Sequence, residues 1–208
     1  MDLKQFEQQI LKTGFALEHD VSTALKEKGW SVISNKFYVD DNEETVREID
    51  LIAYKASQIQ HFSVYTALII SCKKNDDNVW ALLCRSLNRN DPNRIWHPVH
   101  AWSNDRSLQY YLAKEGFGSN YHGRIEKGTL NALEDPELDI FAFQEMKRQS
   151  GAPQNDKAIF GSITSLMKAQ AYELRALPTR KTKPCIGFLF YLWIIRYNYS
   201  NAFLQRWS

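Results

Sequence analysis

At 208 residues, with 44% hydrophobic and 24% charged side chains, the chain has the make-up of a folded domain with a sizeable core, which excludes the disordered class. A net charge of +2 excludes a general polycation, so any nucleic-acid surface has to come from local clustering of basic residues. The three cysteines, at 72, 84 and 185, are odd in number and follow no framework spacing, which excludes a disulfide scaffold and points to a reducing interior.

The amino terminus is polar and lacks the apolar core of a signal peptide. The longest apolar run, Cys185 to Ile195, is too short to cross a bilayer as a helix. The expectation is a soluble, cytoplasmic protein with no membrane partner.

Residues 2 to about 28 predict one amphipathic helix. Leu3, Phe6, Ile10, Leu17, Val21 and Leu25 recur at spacings of three, four or seven, and Gly29 supplies a stop. Glu18 sits beside the apolar face with no lysine or arginine one turn away, which by position reads as a solvated edge glutamate. From Trp30 to Val39 β-branched and aromatic residues predict a strand. The acidic run from Asp40 to Glu44 reads as a solvated turn. A second strand follows over Thr45–Tyr54, then a polar turn over Lys55–Gln60 and a third strand over about Phe62–Cys72. A fourth strand is predicted over Val79–Cys84.

The stretch from Arg85 to Gly151 is punctuated by Asp91-Pro92, His97-Pro98, Gly116 and Gly118, with helices expected near Ser107–Lys114 and Pro136–Arg148. Its length and mixture suggest an elaboration inside one domain. Beyond Asn155, Ile159, Ile163, Leu166, Gln170, Leu174 and Leu177 mark one face of a long helix, which Pro178 is expected to end. A basic linker, Thr179 to Pro184, leads to a buried strand over Cys185–Ile195. The tail from Tyr197 to Ser208 fits no element. A single domain over 1–208 is expected, with its core in about 1–84 and 154–196 and an insertion at about 85–153.

Three short words carry chemistry: Glu48-Ile49-Asp50, Leu68-Ile69-Ile70 and Ser71-Cys72-Lys73-Lys74. Alternation on strands puts Glu48 and Asp50 on one face, and Ser71 and Lys73 on one face. If the two strands pair, Asp50, Ser71 and Lys73 meet at one end of the sheet. Phosphodiester hydrolysis needs a metal to lower the pKa of the attacking water, and a cation near the nucleophile. Asp50 is a hard-oxygen ligand of the kind magnesium prefers, and Lys73 is the cation.

The order and spacing of these residues resemble the PD-(D/E)xK nuclease superfamily, with a Ser-Cys-Lys variant of the (D/E)xK word. The resemblance covers about residues 10 to 84, and the Asn155–Ile195 helix and strand suit the same core. It implies an α/β restriction-endonuclease-like core: a mixed central sheet flanked by helices, with an elaboration between the fourth strand and the long second core helix. It implies a DNA endonuclease using Mg2+ or Mn2+. Asp50 matches the first acid, Cys72 the residue whose carbonyl binds the metal, Lys73 the lysine that acts on water, and Glu18 the glutamate of the first helix.

The departure is Ser71, which stands where the second acid usually does. Within the superfamily Ser-x-Lys also occurs, with an acid recruited from elsewhere. Glu18, Glu48, Glu145 and Asp156 are the candidates here, with Glu18 first. The alternative is a catalytically inactive fold that binds nucleic acid or protein.

Bland readings stand beside these. Asp50 and Lys73 form, at minimum, a strand-end salt bridge; the Cys72 thiol reads as packing; and Lys74 reads as a solvated lysine or a phosphate contact. The best basic track for DNA is Lys168, Arg175, Arg180, Lys181 and Lys183, with Arg85, Arg89 and Arg94 as a second. The plainer alternative for either is a solvated surface. Trp80, Trp96 and Trp102 read as core more than as stacking platforms. Cys84, His97 and His100 lack a fourth zinc ligand. A homodimer would supply the two sites that cutting both strands requires.

Overall fold

The computed structural model describes residues 3–40, 43–60, 62–88, 90–91, 99–117, 120, 138–181, 183–196 and 204–206; over 99–100, 190–196 and 204–206 the description is of the backbone. Two antiparallel hairpins begin the main sheet: β1 (Ser31–Val39) pairs with β2 (Val46–Ile59), and β2 with β3 (Phe62–Lys74). After a long excursion a helix crosses back, and β7 (Cys185–Arg196) joins parallel to β3. The short β5 (Val99–Ser103) lies antiparallel to β7, so the five strands run β1-β2-β3-β7-β5.

Helices cover both faces. Leu51 pairs with Ile70 and Ile52 with Ile69, and neighbours along a strand point to opposite sides. Leu51 and Ile70 meet Leu17, Val21 and Leu25 of helix α2 (Phe15–Glu27). Ile52 and Ile69 meet Leu166 and Ala169 of helix α4 (Lys157–Arg180), together with Tyr38, Ile49 and Leu189. The four strand residues are essentially water-free, and burying each such side chain contributes roughly 1.5–3 kcal/mol. The fold is therefore mixed α/β, a mixed sheet flanked by helices.

Several expectations are corrected. The first helix is two: α1 (Leu3–Lys12) stops where both the amide and the hydroxyl of Thr13 turn back onto the Ile10 carbonyl, and α2 starts after Gly14. The apolar stripe splits with it, since Leu17 is buried while Leu3, Phe6 and Ile10 remain at least half exposed. Gly29 ends α2 as expected, at φ 78°, with its own amide on Lys26 and the Trp30 amide on Leu25. The polar run Lys55–Gln60 is mostly strand, because β2 continues to Ile59 in full register with β3. Pro178 does not end α4, which runs on to Arg180.

The acidic connection after β1 is not simply solvated: Asp40 is 4% exposed, with Arg47 Nε and Lys168 Nζ each 2.7 Å from its carboxylate. Asp41 and Asn42 lie outside the described residues.

The fourth strand, β4 (Asn78–Ser86), belongs to a second sheet, because β2 and β7 occupy both edges of β3. It pairs antiparallel with β6 (Leu138–Lys147) and parallel with β8 (Leu204–Arg206), giving the order β6-β4-β8. A strand thus stands where a helix was expected near Pro136–Arg148; Ile140, Phe141 and Phe143 favour extended backbone once β4 offers an edge. The helix expected near Ser107–Lys114 is present as α3 (Arg106–Ala113), its first amides capped by the Asp105 carboxylate.

Candidate functional site

The β2–β3 ladder closes at the pair Leu51–Ile70, so Asp50 and the Ser71-Cys72-Lys73 strand end lie just beyond it. There β3 stays paired with β7. Freed from β2, the Cys72 amide donates instead to Asp50 Oδ2 at 2.7 Å. The Ser71 hydroxyl donates to the same oxygen at 3.1 Å, and Lys73 Nζ stands 3.5 Å from it. All three contacts use Oδ2; among the described residues Oδ1 accepts no hydrogen bond. The carboxylate is thus fixed by a hydroxyl, an amide and an ammonium, with one oxygen left over. The Lys73 side chain is 40% exposed, so its charge is open to solvent on the other side.

Three further residues complete the cluster from the α2 side. Glu48 and Asp50 of β2 both lie close enough to Glu18 of α2 for their charges to act on it. Glu18, on α2, is held there with them. Burial pushes its carboxyl above the ordinary glutamate range, the Asp50 and Glu48 carboxylates push it further, and Lys73 with the Asn35 side chain pulls it back. Glu18 is therefore part of the Asp50 cluster rather than a solvated edge residue. Asn35 also donates to Glu48 Oε1 at 2.7 Å. It lies in β1 between Ser34 and Lys36, the partners of Leu51 and Ile49, at φ 52°, a left-handed conformation that asparagine tolerates better than most residues. Sequence reasoning passed over Asn35. A lone asparagine inside an otherwise apolar and aromatic strand was the available signal.

Three carboxylates against one ammonium leave this corner with an excess of two negative charges. Among the described residues no group of three His, Cys, Asp or Glu side chains is arranged to hold a metal ion. Magnesium keeps several waters and takes one or two protein carboxylates, so Asp50 Oδ1 with Glu18 suits it, and its charge would offset the excess. The donor set is hard oxygen throughout, which fits magnesium or manganese and not a soft metal.

Ser71 is 6% exposed and lies against Ser165, Leu166 and Ala169 of α4. A carboxylate in its place would be buried beside Asp50, an arrangement of like charges that costs free energy. The Cys72 thiol packs with Leu17, Leu51 and Ile70, and burial, then the Asp50 and Glu18 carboxylates, push its pKa up to about 12. It is inert packing, as expected. Of the other acids considered, Glu145 is buried in β6, accepting from Asn75 and Asn78 at 2.8 and 3.0 Å. Asp156 is exposed at the N-cap of α4, with no contact to Asp50 among the described residues.

The basic residues do not form one open track. Lys74 is not a solvated lysine: its ammonium donates to the Leu11 carbonyl at the end of α1 and lies 3.5 Å from Asp76. Lys168 is spent on Asp40 and Glu43, and Arg180 on Glu173 at 3.0 Å. Lys181 lies over the Tyr65 ring, 3.8 Å from its centroid. Arg175 and Lys183 have exposed side chains. Arg85 pairs with Asp139 at 2.8 Å across the second sheet. Arg89, Arg94, Trp96 and His97 lie outside the described residues, as does the side chain of His100; Cys84 is buried in β4. Trp102 is core, as expected, and Trp80 is partly buried. Among the described residues no helix is long and apolar enough to cross a membrane.

No family model matches the chain, and no curated protein or solved structure is significantly similar to it.

Proposed function

We propose that the chain is a metal-dependent endonuclease that hydrolyses DNA phosphodiester bonds on a restriction-endonuclease-like core. One observation carries this reading: Asp50, Lys73 and Glu18 converge where β2 and β3 part, with two hydrogen-bond donors and the Lys73 ammonium on a single oxygen of Asp50. The order of a helix, three antiparallel strands, a crossover helix and a parallel strand supports it. So does the buried serine at 71, which leaves Glu18 as the acid best placed to act with Asp50.

Asp50 Oδ1, the Glu18 carboxylate and the Cys72 carbonyl would hold Mg2+ or Mn2+. When bound, the metal lowers the pKa of a coordinated water and offsets charge on the phosphate. The chain's own residues do the rest. Ser71 and the Cys72 amide hold Asp50 in one orientation. Lys73 reaches from Asp50 toward solvent, where its ammonium donates to the attacking water or to a phosphate oxygen. The water oxygen bonds to phosphorus, one ester P–O bond breaks, and the departing oxygen takes up a proton. Arg175 and Lys183, with exposed side chains, supply contacts to the DNA backbone, and Lys168, Arg180, Lys181 and Lys74 contribute to the same surface.

The test is conversion of supercoiled plasmid to nicked or linear DNA. Cutting is expected with Mg2+ or Mn2+ and none with EDTA; equal cutting in EDTA would remove the metal from the account.

A second reading, an inactive module that binds nucleic acid or protein, is favoured by one observation: among the described residues no three His, Cys, Asp or Glu side chains are arranged to hold a metal ion. It predicts no cutting in either metal by folded protein, with DNA or protein binding intact.

A further inference from the structure

A second concavity, sharing no lining residue with the crevice around Asp50 and Ser71, opens between the sheet and the C-terminal half of α4. Its volume is about 430 Å³, within the range of small-molecule sites. Ile52, Ala67 and Leu189 form its floor from three neighbouring strands, and Leu177 closes it from the helix. Aromatic rings line it as well: Tyr54, Tyr65 and Trp102.

Trp102 can lie flat on the sheet because its cross-strand partner is Gly187; a Cβ there would stand 2.0 Å from the indole Nε1. The indole is 7% exposed, and its N–H has no hydrogen-bond partner, so this wall keeps an unspent donor.

Charge at the rim is one-sided. Lys36 and Arg180 share the single carboxylate of Glu173. Lys181 lies over the Tyr65 ring and makes no ion pair among the described residues. Three cations against one acid leave an excess of two positive charges beside an apolar, ring-lined interior.

We propose that this cavity is a binding site for a small amphipathic anion: a flat, largely apolar ring system carrying one carboxylate, sulfonate or phosphate. The ring body lies between Tyr65, Ile52 and Leu177, and the anionic group meets Lys181 and Arg180. The site does not rest on the nuclease reading: none of its residues belongs to the Asp50 cluster, and it shares with that reading only Arg180 and Lys181 of the basic surface.

The test uses 8-anilinonaphthalene-1-sulfonate, followed by its fluorescence, against the full-length chain. Saturable binding at one site per chain is expected. Lys181→Glu, at a residue without an acidic partner, should weaken it about tenfold or more, equal to about 1.4 kcal/mol. Ala56→Trp, at the cavity rim, should abolish it by occupying the space. Circular dichroism of both variants should match native. The uncharged N-phenyl-1-naphthylamine should bind more weakly and be unaffected by Lys181→Glu. Native affinity in either variant, several weak sites, or equally tight binding of the uncharged probe would overturn the assignment.

Discussion

Asp50 is the residue on which the site turns, and its environment explains its neighbours. A carboxylate that accepts from a hydroxyl and an amide on one oxygen, with an ammonium 3.5 Å from the same atom, is held rigidly enough to present the other. Glu18 is the strained partner. Its carboxyl is raised by burial and by Asp50 and Glu48, so its charge opposes folding. The penalty is absent below the ordinary glutamate pKa and develops as pH rises from there through the folded value. Glu18→Gln is therefore expected to be more stable than native at pH 7 in EDTA, with the gain fading as pH falls toward 4.5. Solvent screening of this partly exposed group keeps the gain to about 1 kcal/mol or less. Urea unfolding at pH 7 and pH 4 checks it; a variant less stable at pH 7 would mean the carboxylate is stabilised in place. Magnesium should stabilise native protein and not Glu18→Gln. The site's members were legible in the sequence as residue types at strand ends. The role of Asn35 was not, because its left-handed backbone and its bond to Glu48 depend on strand register.

At the scale of elements, the places where sequence and structure agree are those where one local cause decides. Gly29 closes α2 in a left-handed conformation, and a Cβ there would meet only Lys55 Nζ at 3.8 Å, an ordinary contact. Gly29→Ala should thus cost about 1 kcal/mol, from backbone strain rather than collision, readable as a lower urea midpoint with unchanged slope. An unchanged midpoint would show that the turn relaxes without loss. Disagreement arises where tertiary context decides. The period of the first 28 residues cannot report that Thr13 and Gly14 divide the helix, nor that α1 leaves its stripe exposed. The pattern of β4 reads as a strand but cannot say which sheet it joins; that depends on β7, over 100 residues later, taking the free edge of β3. Residues 138–147 were misread as helix for the same reason, since their extended form is settled by pairing with β4.

At the scale of the molecule, charge and cysteine placement set behaviour. All three cysteines are buried, and Cys72 has its pKa pushed up to about 12. Native protein should therefore react slowly with a thiol reagent such as 5,5′-dithiobis(2-nitrobenzoate), and the three thiols should react fully in urea. Fast labelling of native protein would place a cysteine on the surface and contradict the packing described. Lys168 and Arg180 of the basic track are already held in ion pairs, so affinity for DNA should rest on few phosphate contacts and depend modestly on salt. The central claim, that Asp50 and Lys73 act together at a metal-dependent hydrolytic site, is most directly tested by the single-turnover rate of plasmid cleavage in saturating Mg2+. Native protein is compared with Asp50→Asn and Lys73→Ala, all three verified as folded. Native protein is expected to cut measurably, with a loss of about 100-fold or more in each variant. Cutting undiminished in either variant would contradict it.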